Sequence, residues 1–191
     1  MAEKRDDLTI LPANLPVPVD DGAADHMLGS RVPDIALRAT DGRELSLAAI
    51  RGNRVVVYAY PRTGRPGESS LVDDWDLIPG ARGCTPETCG FRDHHAELLA
   101  AGAEVFGLST QETAYQHELA HRLQLPFAIL SDADLALTRA WRMPTFEVAG
   151  QMLLKRLTLV LFDGRVEHLW YPVFPPDRHA EEVLGWLLSR G

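Results

Sequence analysis

The chain has 191 residues, 46% of them apolar and 24% charged, with a net charge of −8 at neutral pH. That length and apolar share suit one domain whose core does not depend on disulfides, which sets aside the small secreted scaffold. The negative balance argues against a nucleic-acid partner, because phosphate binding needs a basic face.

Residues 1–28 read as an extended N-terminal arm preceding a domain over 29–191. Pro12, Pro16 and Pro18 forbid a helix there, and hydrophobic periodicity is absent. The first 21 residues have no apolar h-region and no small-residue cleavage site, so they do not read as a signal peptide. No apolar run reaches the length of a membrane span. The expectation is a cytoplasmic protein with no membrane partner, a setting in which paired cysteines lean towards redox or metal chemistry.

Residues 34–39 and 44–47 alternate about Asp41-Gly42 and predict a hairpin. RVVVYAY, residues 54–60, is a β-branched apolar run and predicts a buried central strand. Residues 62–80 are rich in Pro, Gly, Ser and Asp and form a long loop, with Trp75 among Asp73, Asp74 and Asp76. It reads either as a solvated loop anchored by one tryptophan or as a segment that shades a site or meets a partner. A helix is expected from Thr85 or Pro86 to about Ala101, capped by Thr85 and ended by Gly102. Then come a strand over 103–108, an amphipathic helix over 111–124 with Leu119 and Leu123 inward, a short strand over 127–130 and a short helix over 133–141. KRLTLVLFDGRVEHLWY predicts two strands about Asp163-Gly164, with Arg156 on the first, and residues 177–189 a final helix. Strands alternating with helices indicate an α/β fold around a central mixed sheet.

Both cysteines, Cys84 and Cys89, lie in GARGCTPETCGFRD. Cys84 sits at the start of the predicted helix, where outward N–H groups and the helix dipole favour a thiolate. Residues five apart on an intact helix have Cα atoms about 8–9 Å apart, beyond the roughly 7 Å that a disulfide spans. The pair therefore bonds only if the first turns unwind, which Gly90 eases; a static disulfide is disfavoured and a transient one is attractive. His94 and His95 complete a set of zinc-ligand types, but on one short helix they would face different directions.

The segment GCTPETCGFRD resembles the active-site segment of the peroxiredoxin Q family, also called bacterioferritin-comigratory protein. RVPDIALRATDGRELSLAAIRGNRVVVYAYP, AEVFGLST followed by LPFAILSD, and KRLTLVLFDGRVEHLWY resemble, in order, the family's opening, its next strand, helix and strand, and its late hairpin. The likeness spans about residues 29–190. It implies a thioredoxin-like fold with an N-terminal hairpin extension, and a thiol peroxidase. By the same resemblance Cys84 matches the peroxidatic cysteine, Cys89 the resolving cysteine, Arg156 the family's arginine and Pro61 the proline shielding the cysteine. The implied cycle runs through a Cys84 sulfenate and a Cys84–Cys89 disulfide, reduced by a thioredoxin-type dithiol, in a protein that is a monomer and needs no metal, haem or flavin. One departure stands out: the family's threonine three residues before the cysteine is Ala81 here. About sixteen extra residues separate Pro61 from the motif. A hydroxyl returns from Thr63, Ser69 or Ser70, with Thr63 nearest to Pro61, or it is missing.

Three other readings stay open. Cys89 is a buried structural residue and Cys84 works as a one-cysteine enzyme, or the chain is a non-enzymatic thioredoxin-fold binding or chaperone module. Residues 117–121, HELAH, also match the His-Glu-x-x-His pattern of zinc hydrolases, with His117 and His121 as ligands and Glu118 as base; a third ligand is not evident beyond Glu147.

Overall fold

The computed structural model describes residues 7–190. In chain order the strands and helices are β1 (Ala36–Ala39), β2 (Glu44–Ser46), β3 (Arg54–Ala59), α1 (Cys84–Asp93), α2 (His95–Ala100), β4 (Ala103–Ser109) and α3 (Thr113–Arg122). There follow β5 (Ile129–Ser131), α4 (Ala136–Trp141), β6 (Thr145–Val148), β7 (Gln151–Leu154), β8 (Leu157–Phe162), β9 (Arg165–Trp170) and α5 (His179–Leu188). Seven strands make one sheet in the order β2-β1-β5-β4-β3-β8-β9, and β6 and β7 pair separately. β4 runs parallel to both β3 and β5, and the other neighbours are antiparallel, so the sheet is mixed. This is the α/β class expected, with the β1–β2 hairpin at one edge.

The continuous apolar run of β3 is explained by helices on both faces of the sheet. Val55, Val57 and Ala59 face one core with Leu137 and Trp141 of α4, and with Ala24 and Met27 of the arm. Val56 and Tyr58 face the other, with Phe91 of α1, Leu98 of α2, Leu119 of α3 and Val183 and Leu187 of α5. Each fully buried side chain of this size contributes about 2 kcal/mol by leaving water. The β8–β9 hairpin turns at Asp163 (φ 48°) and Gly164 (φ 75°), a left-handed pair that the Asp-Gly dipeptide accommodates.

Four expectations need correction. The single helix over 85–101 is two helices. His94 leaves helical geometry (φ −97°, ψ 7°), in a run of weak helix formers, and its Nδ1 meets Glu97 Oε1 at 2.8 Å, which holds the junction. Thr85 does not cap the first of them: Gly83 is the N-cap. The β6–β7 hairpin was not foreseen. Arg156 does not lie on a strand but in the two-residue link between β7 and β8. The hairpin takes up the apolar residues that look like the start of a long strand.

The 62–80 segment is partly packed. Trp75 is buried with Leu153 and Ala81, and Phe146 leans on the same cluster, so the segment rests on the β6–β7 hairpin. The arm also lies on the domain: Asp21 pairs with Lys155 Nζ at 2.6 Å and accepts a hydrogen bond from the Tyr171 hydroxyl at 2.6 Å.

Candidate active site

Cys84 is the first residue of α1 and is buried. The chain enters the helix through Gly83 at φ +106°, a conformation open to glycine. Space demands glycine as well: a Cβ there would sit 2.5 Å from Pro176 Cγ and 2.8 Å from Leu11 Cδ1. Behind Cys84 the helix is pinned to β3. Phe91 stacks on Tyr58 with ring centres 4.4 Å apart, and the Tyr58 hydroxyl donates to Thr88 Oγ1 at 3.2 Å. Pro61, just past β3, is buried, and the next residue, Arg62, aims its backbone N–H at the Cys84 sulfur.

Arg156 reaches the same sulfur from the other side of the sheet's end. Its Nη2 donates to Cys84 Sγ at 3.1 Å, and it also lies 3.2–3.3 Å from the carbonyls of Gly80, Ala81 and Arg82. Its Nη1 pairs with Glu87 Oε2. Arg156 is 3% exposed and Glu87 fully buried. Burial raises the Cys84 thiol above its ordinary range, against the pull of Arg156 and the Arg62 N–H. This corrects the expectation of a simple dipole-lowered thiol: desolvation outweighs the favourable charges while the site is closed. Burial also pushes the Glu87 carboxyl up to about 7. One fixed cation thus faces two acids, and the thiolate is favoured when Glu87 carries its proton.

The hydroxyl candidates separate. Thr63, Ser69 and Ser70 all line the pocket that opens onto Cys84, but Thr63 is buried while the two serines are exposed. The Gln111 carboxamide clamps Thr63. Its Nε2 donates to the Thr63 carbonyl at 3.0 Å, and its Oε1 accepts from the Thr63 N–H at 3.0 Å and hydroxyl at 3.2 Å. The hydroxyl proton is spent on Gln111, and its oxygen remains an acceptor. Ala81 supplies its carbonyl 3.5 Å from Cys84 Sγ.

Cys89 is half-buried, and both cysteines are free. α1 is continuous from one to the other, so their Cα atoms stand about 8–9 Å apart by helix geometry. Burial raises the Cys89 thiol as well. Glu87 and Gln111 were not picked out by sequence reasoning. An acidic residue in a first helical turn reads as a solvated dipole partner, and nothing local signals that it is buried.

HELAH lies on α3, where His117 and His121 are exposed. Glu118 accepts from Arg122 Nε at 2.7 Å and faces Arg65 at 3.7 Å, so it is committed to two guanidiniums. Among the described residues no three His, Cys, Asp or Glu side chains converge as metal ligands, and Glu147 lies on β6 in the separate hairpin.

Residues 27–184 match the Redoxin family model. Peroxiredoxin Q, chloroplastic, from Gentiana triflora is 30% identical over 183 residues, covering 93% of this chain and 76% of the relative. The chain belongs to the redoxin family, in its peroxiredoxin Q branch. Peroxiredoxin Q, chloroplastic, from Oryza sativa subsp. japonica is 32% identical over 161 residues, which cover 84% of this chain and 66% of that protein. The Xanthomonas campestris bacterioferritin comigratory protein superposes with a TM-score of 0.66 at 26% identity, over 94% of this chain and 99% of its own. The family's fold is thioredoxin-like, and in this member the cysteine, arginine and proline positions meet at one end of the sheet.

Proposed function

We propose that the protein is a thiol-dependent peroxidase acting on hydrogen peroxide and organic hydroperoxides. The observation that carries the reading is the buried Arg156 guanidinium donating to Cys84 Sγ at 3.1 Å beside an open pocket. Family membership supports it, as does the alkyl peroxide reduction ascribed to the Xanthomonas protein.

The Cys84 thiolate attacks the distal peroxide oxygen. The O–O bond breaks, the S–O bond forms, and the alkoxide leaves as alcohol once it takes a proton, so Cys84 becomes a sulfenate. Arg156 holds the thiolate and neutralises charge as it moves onto oxygen. Pro61 screens the sulfur from bulk water, and Thr63 offers its oxygen as acceptor for the peroxide proton. The Cys89 thiol then displaces water from the sulfenic acid to give the Cys84–Cys89 disulfide. An external dithiol of thioredoxin type exchanges with it and restores both thiols. α1 must open for this step, because a helix keeps the pair beyond bonding range. A monomer suffices for the cycle. We place the protein in the cytoplasm, where dithiol reductants keep such a pair turning over; its plant relatives are named chloroplastic.

Thiol counting with intact-mass analysis tests the reading. One equivalent of hydrogen peroxide should remove both thiols rapidly and yield a Cys84–Cys89 linked peptide. Cys84→Ser should keep its one remaining thiol, at Cys89, and Cys89→Ser should stop at a sulfenate that overoxidises. Loss of Cys84 alone in the unmutated protein would make it a one-cysteine enzyme. No fast reaction at Cys84 would sink the peroxidase.

A further inference from the structure

The pocket in front of Cys84 carries a charge pattern unlike that of the chain. The protein is strongly acidic overall, yet the described residues lining this pocket include Arg62 and Arg82 and no carboxylate. Three carboxylates outside it are paired with Arg65 or with Arg82. Glu68 and Glu118 face Arg65 at 3.7 Å each, and Asp76 faces Arg82 at 3.5 Å.

Arg62 is different. It forms no ion pair among the described residues. Its guanidinium lies 5.4 Å from the Tyr115 ring centre, and its Nη1 donates to Gln151 Oε1 at 3.3 Å. It is therefore held between α3 and the β6–β7 hairpin by an aromatic face and a neutral amide, with most of its five donors unused. The backbone N–H of this same residue points at the Cys84 sulfur. The cation thus stands one side-chain length from the reacting atom. The same pocket that Arg62 and Cys84 line also carries apolar surface from Leu8, Leu71 and Trp75. A small hydroperoxide with an apolar part and an anionic end matches those surfaces.

Resting on the peroxidase reading, we propose that Arg62 is a specificity-determining residue that selects organic hydroperoxides bearing a carboxylate over neutral ones. The carboxylate pairs with the guanidinium at the mouth, the apolar part lies on Leu71 and Trp75, and the O–O group reaches Cys84. The covalent step is unchanged: the sulfur takes the distal oxygen and the product leaves as a hydroxy acid. Arg62 touches the remote end of the substrate, so its effect falls on kcat/KM for the acid and not on the chemistry of O–O cleavage.

The probe is a matched pair, a short tertiary alkyl hydroperoxide ending in a carboxylate and its methyl ester, with hydrogen peroxide as reference. The readout is the ratio of their second-order rates of Cys84 oxidation. A half-exposed arginine–carboxylate pair should favour the acid by roughly three- to tenfold at low salt. The preference should shrink in about half-molar salt, where charges are screened within a few ångströms. Arg62→Gln should bring the ratio near one, and Arg62→Lys should keep part of the preference. The salt dependence is read on the unmutated protein, so the test stands even if a variant folds poorly. A ratio of one or below, or a ratio unmoved by salt or by Arg62→Gln, overturns the inference while leaving the peroxidase intact. If hydrogen peroxide and both organic probes are all inert, the peroxidase reading falls and takes this one with it.

Discussion

Arg156 serves two acids from one buried position, and that sharing sets the chemistry of Cys84. Charge on Glu87 opposes a thiolate at Cys84, while Arg156 favours it. With its carboxyl pushed up to about 7 by burial, Glu87 changes charge in the range where the enzyme would work. A rise in pH through 7 ionises Glu87, and its charge then opposes the thiolate at Cys84. Glu87→Gln keeps the shape and most of the hydrogen bonding but removes the competing charge. It should lower the apparent pKa of Cys84, by about one unit for a neighbouring charge in a buried site. The check is the pH profile of iodoacetamide alkylation, or of thiolate absorbance, in a Cys89→Ser background. A profile that stays put or moves upward would mean that Glu87 only positions Arg156.

At the scale of elements, α1 packs on α5, and a buried histidine sits in that contact. His179 is packed edge-on against Phe91 of α1 and Trp170 of β9; its Nδ1 meets Glu182 Oε2 at 3.2 Å, and its Nε2 has no partner among the described residues. Burial pushes it down to about 4, with Arg156 adding to the depression and Glu182 opposing it. A histidine depressed in the folded state supports folding above its ordinary pKa and withdraws that support as pH falls through 6.5 towards 4. Between pH 7.5 and 5.5 the protein should lose about 1 kcal/mol through this residue. Glu87 works in the opposite direction over part of that range, because its folded form holds a proton the unfolded form has lost. Comparing urea midpoints of the native protein and His179→Phe at the two pH values isolates the histidine; an equal change on acidification in both would exclude it. None of this was legible in the sequence, where His179 is one polar residue at a helix start. What was legible follows from local rules. The β3 run, the Asp163-Gly164 turn and the helix opening at the cysteine each announce themselves by residue type and period. The β6–β7 hairpin and the break at His94 did not, because short strands and helix junctions are decided by packing beyond the local window. Thr63 could be named from its nearness to Pro61, but its clamp, Gln111, is 48 residues away.

For the molecule as a whole, the arm is part of the active-site wall. Leu8 lines the Cys84 pocket, Leu11 lies against Gly83, and Pro18 against Gly80, while Asp21 fastens the arm to Lys155 and Tyr171. Gly80 and Gly83 flank the turn that must open when the first residues of α1 unwind, so the arm holds down the segment that resolution has to move. Ala24 and Met27, near the C-terminal end of the arm, are buried in the core, so this anchor stays in place when the residues before them are removed. Deleting residues 1–20 should therefore leave the fold in place and remove two half-buried leucines from the closed site. Each contributes about 1 kcal/mol to the closed form at most, so opening should become up to roughly thirtyfold easier. The disulfide should form faster after the sulfenate, and the protein should survive higher peroxide, since Cys89 would capture the sulfenate before a second oxidant molecule does. Rapid-quench thiol counting gives the resolution rate, and mass analysis across a peroxide series gives the sulfinate fraction. The initial attack of Cys84 on peroxide should slow or stay constant, because the pocket loses a wall and gains nothing. An unchanged resolution rate would assign the barrier to α1 itself, held by Phe91 on Tyr58 and by His179 behind it, and the arm would then be a wall without being a latch.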